Sequence, residues 1–360
     1  MTAEWRDVHE GRRDLDWHVA LGDLEAVPHV TVLGRSVAAR AAHDLEAFFG
    51  AGWLTRATAS RAHTAIAGLV HYWPSLGTAG AYGNVIGLWA SLQVLVDAQV
   101  HGIGEIRKSL RANLQEAGFR HALTQVRLAA QGLIAGHRVM LEPPMPDGDP
   151  GDLSLAHADT EVFLEIKTFN PDRRFIETGE HASATQMPVS YSDQGRRLWR
   201  DLDKKARQAQ AAGAAWVWVQ DNSNTLWAMT RFAQMPLGTK VKALNDLVGP
   251  LFDTHPHLVG VVLTSESMPD VLAINARTHL PEGLGFRTAL PGARARESIV
   301  LHRRLMVPGQ LALIACLCAD EPLWLDRALA RLGIAGGLAS LTTHDPDPRI
   351  RSKTTAARTC

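Results

Sequence analysis

The sequence predicts an α/β fold, a central mixed β-sheet flanked by helices and preceded by a helical N-terminal region. Three observations carry that expectation. From about residue 36 to 136 apolar residues recur at three- and four-residue spacing, the period of an amphipathic helix. The texture then changes at "HRVMLEPPMPDGDPGD", where a short apolar run ends in a Pro/Gly/Asp turn cluster. From about residue 110 onward, helical stretches alternate with short runs rich in Val, Ile, Leu and Trp, the pattern of an α/β core.

Taken in order, "SVAARAAHDLEAFF", "TRATASRAHTAIAGLVHYW" and "EIRKSLRANLQEAGFRHALTQVRLAAQGLIAGH" read as helix, punctuated by glycines. "HRVMLEPP" reads as a strand entering a loop, and "DLSLAHADTEVFLEIKTF" as a β-hairpin around a polar middle. "SDQGRRLWRDLDKKARQAQAAGA" is helical and "AWVWVQD" is a strand. Helix is expected again in "KVKALNDLVGPLF" and strand in "HLVGVVLTS" and "VLAINAR". "GQLALIACLCA" and "LWLDRALARLG" close the series as helices. The divisions expected are a helical region over 1–105, an α/β core over 106–270, a strand and helix extension over 271–340, and a disordered polar tail over 341–360. No internal repeat is present.

Composition narrows the function classes. A chain of 360 residues with 46% hydrophobic and 21% charged residues is ordinary for a globular protein. Its formal charge is zero, so any nucleic-acid contact must come from a local cluster of Lys and Arg. Three cysteines are too few for a disulfide framework, which points to a reducing cytoplasm. The longest apolar run, "NVIGLWASLQVLVDAQV", contains Gln93 and Asp97 and falls short of the roughly 18 apolar residues of a membrane span. A soluble protein with no membrane partner is expected.

The chemistry concentrates in "LEIKTF", residues 164–169. Strand parity sets Phe163, Glu165 and Lys167 on one face and Val162, Leu164 and Ile166 on the other, so the aliphatic face can enter a core without burying either charge. If Ala158 and Asp159 form a two-residue turn, His157 pairs with Thr160 and the register runs down to Asp152 opposite Glu165. Opposed carboxylates repel unless a cation lies between them, and hard oxygen ligands with water suit Mg²⁺. Removing one carboxylate would then relieve repulsion in the metal-free protein. A one-residue slip would separate the faces.

Asp152 followed by Glu165-Ile166-Lys167 on the next strand resembles the signature of the PD-(D/E)XK, or restriction-endonuclease-like, nuclease superfamily. The resemblance spans about residues 110–265. A helix ending in Gly136, then "HRVMLEPP", then an Asp leading a strand is similar to that family's first helix and hairpin. "DKKARQAQAAGAAWVWVQD" looks like its following helix, where a Lys and a Gln face the site; Lys205 and Gln208 match, with Lys204 an alternative for the Lys. There are two departures. Gly151 precedes Asp152 where Pro is common, and Gln125 aligns where the first helix often carries a metal-binding Glu, with Glu116 two turns away. The second departure argues against a two-ion mechanism.

The resemblance implies Mg²⁺-dependent phosphodiester hydrolysis, with Mn²⁺ as a substitute and DNA as the expected partner ahead of RNA. Asp152, Glu165 and the carbonyl of Ile166 would hold the ion, which lowers the pKa of a bound water. Lys167 would act on that water and on the developing anion, and Gln208 would complete the catalytic set. Arg200, Lys204 and Lys205 lie in a basic helix suited to phosphate contact. A surface Glu–Lys ion pair at a strand end is the plain alternative to this site. A silent nuclease-like module that binds nucleic acid or a protein is the alternative function. Self-association or partner docking through residues 1–105 stays open.

Other motifs carry less. "DGDPGD" fails as a calcium loop, because its sixth position is Asp152 and its twelfth Ala158. His255 and His257 in "THPH" have no second ligand pair and suit a helix-to-strand loop. Cys316 and Cys318 suit an apolar core. Trp216, Trp218 and Trp227 could stack on bases, but in a strand-rich segment they read as core.

Overall fold

The computed structural model describes residue 17 and residues 30–58, 79–112, 116–169, 191–221, 237–266, 296–303, 308–318 and 321–341. "VLAINAR", Trp227, the expected C-terminal tail and much of "TRATASRAHTAIAGLVHYW" lie outside these residues. The first part is helical: α1 (Val32–Phe49), α2 (Trp53–Thr58), α3 (Ala79–Asp97), α4 (Ile103–Ala112) and α5 (Glu116–Ile134). The hairpin region follows as β1 (Arg138–Leu141), β2 (Leu153–His157) and β3 (Thr160–Phe169). Next come α6 (Tyr191–Gln208), β4 (Ala215–Asp221), α7 (Leu237–Thr254), β5 (Leu258–Glu266) and β6 (Arg296–His302). The helices α8 (Pro308–Leu317) and α9 (Glu321–Arg331) complete the series.

The six strands form one mixed sheet in sequential order, with β3, β4 and β5 parallel at its centre and antiparallel pairs outside them. The sheet is covered on both sides, as a parallel centre requires. Alternation along β4 shows the division. Trp216 and Trp218 enter one core with Val162, Leu164, Ile166 and the helices α1, α3, α5, α8 and α9. Val217 and Val219 enter a second core with Leu198, Leu202 and Ala206 of α6 and Val248 and Leu251 of α7. Both tryptophans are fully buried, as the core reading of that segment requires.

The first core runs without a break from the N-terminal helices to the sheet. The two ends of the described chain also meet, because Thr31 donates its amide to the carbonyl of Leu341 and its hydroxyl to that of Ser340. The same hydroxyl caps α1 by accepting from the amide of Gly34. Among the described residues no helix is long and apolar enough to cross a membrane.

Two expectations need revision. "RESIVLH" had no strand assigned, yet it is the edge strand β6, since its polar ends hide a short apolar centre. The face that carries Glu165 was expected to stay outside the core. It is covered by α6, and Glu165 is only 7% exposed.

At the β4–β5 pairing the register shifts between Ala215 and Trp216, and Gly260 lies beside Trp216. A Cβ at Gly260 would come within 2.2 Å of the Trp216 ring. Gly260→Ala should therefore lower stability by about 1–3 kcal/mol, the cost of overpacking a filled core. A urea titration that leaves the midpoint unchanged would show that the ring has room to move.

Candidate metal and phosphate site

The hairpin closes through Ala158 and Asp159, with His157 paired to Thr160 and Leu153 to Leu164. Ala158 takes a left-handed φ of 49°, which a tight turn needs. Asp152 and Glu165 are the next residues beyond that last pair, and their carboxylates come together on one ammonium, that of Lys205. Asp152 precedes β2 and caps the strand entry. The amide of Glu142 at the end of β1 bonds the carbonyl of Asp152 at 3.2 Å.

Three elements converge on the pair. From α6, Nζ of Lys205 donates to Oδ2 of Asp152 at 3.0 Å and to Oε2 of Glu165 at 2.9 Å. From β3, the amide of Ile166 donates to the same Oδ2 at 2.6 Å. From α5, His121 Nε2 lies 3.1 Å from Oδ1 of Asp152. The Gln125 amide donates to Oδ1 at 3.3 Å and to the Asp152 carbonyl at 3.2 Å. Both oxygens of Asp152 thus accept two hydrogen bonds each. Side-chain exposures of 17% for Lys205, 14% for Asp152 and 10% for Glu165 put the cluster largely out of water.

The environment drives the two carboxyls apart. Burial pulls the Asp152 carboxyl upward, but the His121 hydrogen bond, the His121 and Lys205 charges and the Ile166 amide outweigh it, and its pKa falls well below the usual range. Burial raises Glu165, the neighbouring Asp152 charge raises it further, and Lys205 only partly offsets both; its pKa is pushed up to about 7. Burial disfavours the Lys205 charge, yet the two carboxylates more than compensate and hold its pKa above the ordinary value.

Gln125 now has a physical reason. A Glu at that position would set a carboxylate against Asp152, whereas the amide donates to it. His121 was missed in the sequence. The signal was present, because His121 and Gln125 are four residues apart on one helical face.

The other residues singled out in the sequence have different surroundings. Lys167 lies on the Glu165 face of β3, but its Nζ pairs with Oδ2 of Asp201 on α6 at 3.3 Å; the ammonium between the carboxylates is that of Lys205. Gln208 ends α6 and is exposed, and Arg200 and Lys204, earlier on the helix, are exposed as well. Removal of one carboxylate was expected to relieve repulsion. With an ammonium already bridging the pair, the repulsion is neutralised, and removal leaves donors unpaired.

His255 and His257 serve the α7–β5 corner. His255 Nε2 lies 2.8 Å from Oδ1 of Asp203, and His257 meets the carbonyl of Ala206, so both tie that corner to α6. Burial, with Cys318 close by, raises the Cys316 thiol to about 12, so it is inert at neutral pH.

The donor set fits Mg²⁺, which is commonly held by one or two carboxylates with waters and phosphate oxygens completing the shell. Asp152, Glu165 and the backbone carbonyl of Ile166 are the residues that could hold it. Among the described residues no group of three or more His, Cys, Asp or Glu side chains has metal-binding geometry. An ion here would therefore depend on water and substrate for the rest of its shell. Compared with protein-family models, curated proteins and solved structures, the chain matches none of them.

Proposed function

We propose that this protein hydrolyses phosphodiester bonds in nucleic acid, DNA ahead of RNA, with Mg²⁺ or Mn²⁺ held by Asp152 and Glu165. The carrying observation is the convergence of both carboxylates on one cation position, defined by the Lys205 ammonium at 3.0 and 2.9 Å. A divalent ion at such a site supplies an activated water and charge stabilisation on the phosphate. The chain's own residues do the rest. Asp152 is pre-oriented by Ile166, His121 and Gln125, so it needs no reorganisation to act as a ligand. Lys167, on the same strand face and 32% exposed at its side chain, would donate to the attacking oxygen or to a non-bridging phosphate oxygen.

The basic surface of α6 supports a polyanionic substrate. Arg196, Arg197, Arg200, Lys204 and Arg207 are all exposed on one side of the helix, and Lys205 and Asp201 are on its inner side. Phosphate contacts here would position a strand without reading its sequence. Arg200→Glu with Lys204→Glu should weaken nucleic-acid binding across sequences and flatten its salt dependence by about 0.9 log units per lost phosphate contact on duplex DNA. An unchanged salt slope would make the stripe a solvated surface only.

A cleavage assay on single- and double-stranded DNA and RNA, with Mg²⁺, Mn²⁺ or chelator, tests the reading. Metal-dependent cleavage lost in Glu165→Gln supports it. One observation favours a silent binding module instead: all four accepting positions of Asp152 are already filled. Tight, salt-dependent nucleic-acid binding with no cleavage under any metal would establish that second reading.

A further inference from the structure

The ion position between the carboxylates holds a cation that belongs to the chain. Asp152 and Glu165 are hydrogen-bonded through Oδ2 and Oε2 to the one ammonium of Lys205. A divalent ion would need those same oxygens at about 2.0–2.1 Å. An ammonium and a divalent cation repel and cannot share that space.

The contacts of Asp152 differ in how firmly they are built. The Ile166 amide belongs to the β3 backbone, and His121 and Gln125 come from α5, which packs on the sheet. These three hold the carboxylate in place whatever Lys205 does. The Lys205 contact is made by a flexible four-carbon stem and a compact point charge, which other rotamers can carry elsewhere. Its neighbour in sequence, Lys204, is on the exposed basic side of α6.

We propose that Lys205 is an internal counterion: it fills the ion position in the metal-free protein, yields it when a divalent cation binds, and so sets the affinity of the site for that cation. This rests on the ion-dependent reading of the pair. Release would swing the ammonium away from the carboxylates toward the side of α6 that carries the exposed Lys204, adding a positive charge near where phosphate would be held. Metal uptake and substrate binding are then coupled through one side chain.

Mn²⁺ binding to the full-length protein and to Lys205→Met, followed by titration calorimetry, tests this. Removing the competitor should tighten Mn²⁺ binding by at least about tenfold, the lower end for one charge-assisted hydrogen bond. In chelator the variant should melt below the wild type, and Mn²⁺ should restore more of its melting temperature than it adds to the wild type. Should Lys205→Met fail to fold, amine labelling of the wild type is the parallel measurement. Lys205 should be protected in chelator and labelled several-fold faster in saturating Mn²⁺.

Equal or weaker Mn²⁺ binding in Lys205→Met, or labelling of Lys205 indifferent to Mn²⁺, would overturn the counterion role. If the wild type still binds Mn²⁺ and cleaves, the hydrolytic reading survives that result. If neither protein binds Mn²⁺ and the wild type cleaves nothing, the hydrolytic reading falls and the counterion role with it.

Discussion

Asp152→Asn is expected to abolish metal-dependent cleavage and to lower the unfolding free energy by about 3–5 kcal/mol, the cost of breaking a buried ion pair from one side. The substitution is isosteric, so packing is preserved and charge is the variable. Four donors address the Asp152 carboxylate: Lys205, His121, Gln125 and the Ile166 amide. An Asn side chain has one acceptor oxygen and an amide that also donates. Whichever way it turns, its NH₂ opposes donors at one end of the group. The Lys205 ammonium loses one of its two carboxylate partners and keeps only Glu165, whose own pKa falls once the Asp152 charge that raised it is gone. Activity and stability should therefore fall together. Thermal and denaturant unfolding in chelator, alongside the cleavage assay, checks both. Wild-type stability with lost cleavage would mean that the hydrogen-bond cluster holds nothing together.

Lys167→Ala should separate the same quantities. Its ammonium pairs with Asp201, and the ammonium that bridges the two carboxylates is that of Lys205; the Lys167 side chain is 32% exposed. The pair is part-buried and still reached by solvent, so unfolding should shift by about 1 kcal/mol, well short of the Asp152→Asn loss. Turnover should drop by about 10²–10³, the usual loss when one donor to a developing anion is removed. Substrate affinity should hold, since one Lys among several phosphate contacts is a small electrostatic contribution. Single-turnover kinetics with a parallel binding isotherm would read this. A Lys167→Ala protein that cleaves at the wild-type rate would move the donor role to another residue.

The site was legible in the sequence where local rules apply. Two residues between His157 and Thr160 fix the hairpin, and the register runs down to Leu153 and Leu164, with Asp152 and Glu165 the next residues on the two strands. Alternation also assigned Val162, Leu164 and Ile166 to a buried face, and the burial of all three follows. The resemblance drew attention to Lys205, but spacing alone could not choose between Lys204 and Lys205. That choice depends on which side of α6 meets β3.

Sequence by itself determined the α/β alternation, the strand faces and the opposition of two carboxylates, because each is a matter of residue period and turn length. Tertiary structure decided what those carboxylates meet. Lys205 is 40 residues from Glu165 and 53 from Asp152 in the chain. Its position depends on α6 folding back across the sheet with Leu198, Leu202 and Ala206 inward. The same packing buries Glu165 and turns Lys167 toward Asp201, outcomes that no local pattern encodes. A period states which face a side chain takes, and only the docking of a distant helix states what covers that face.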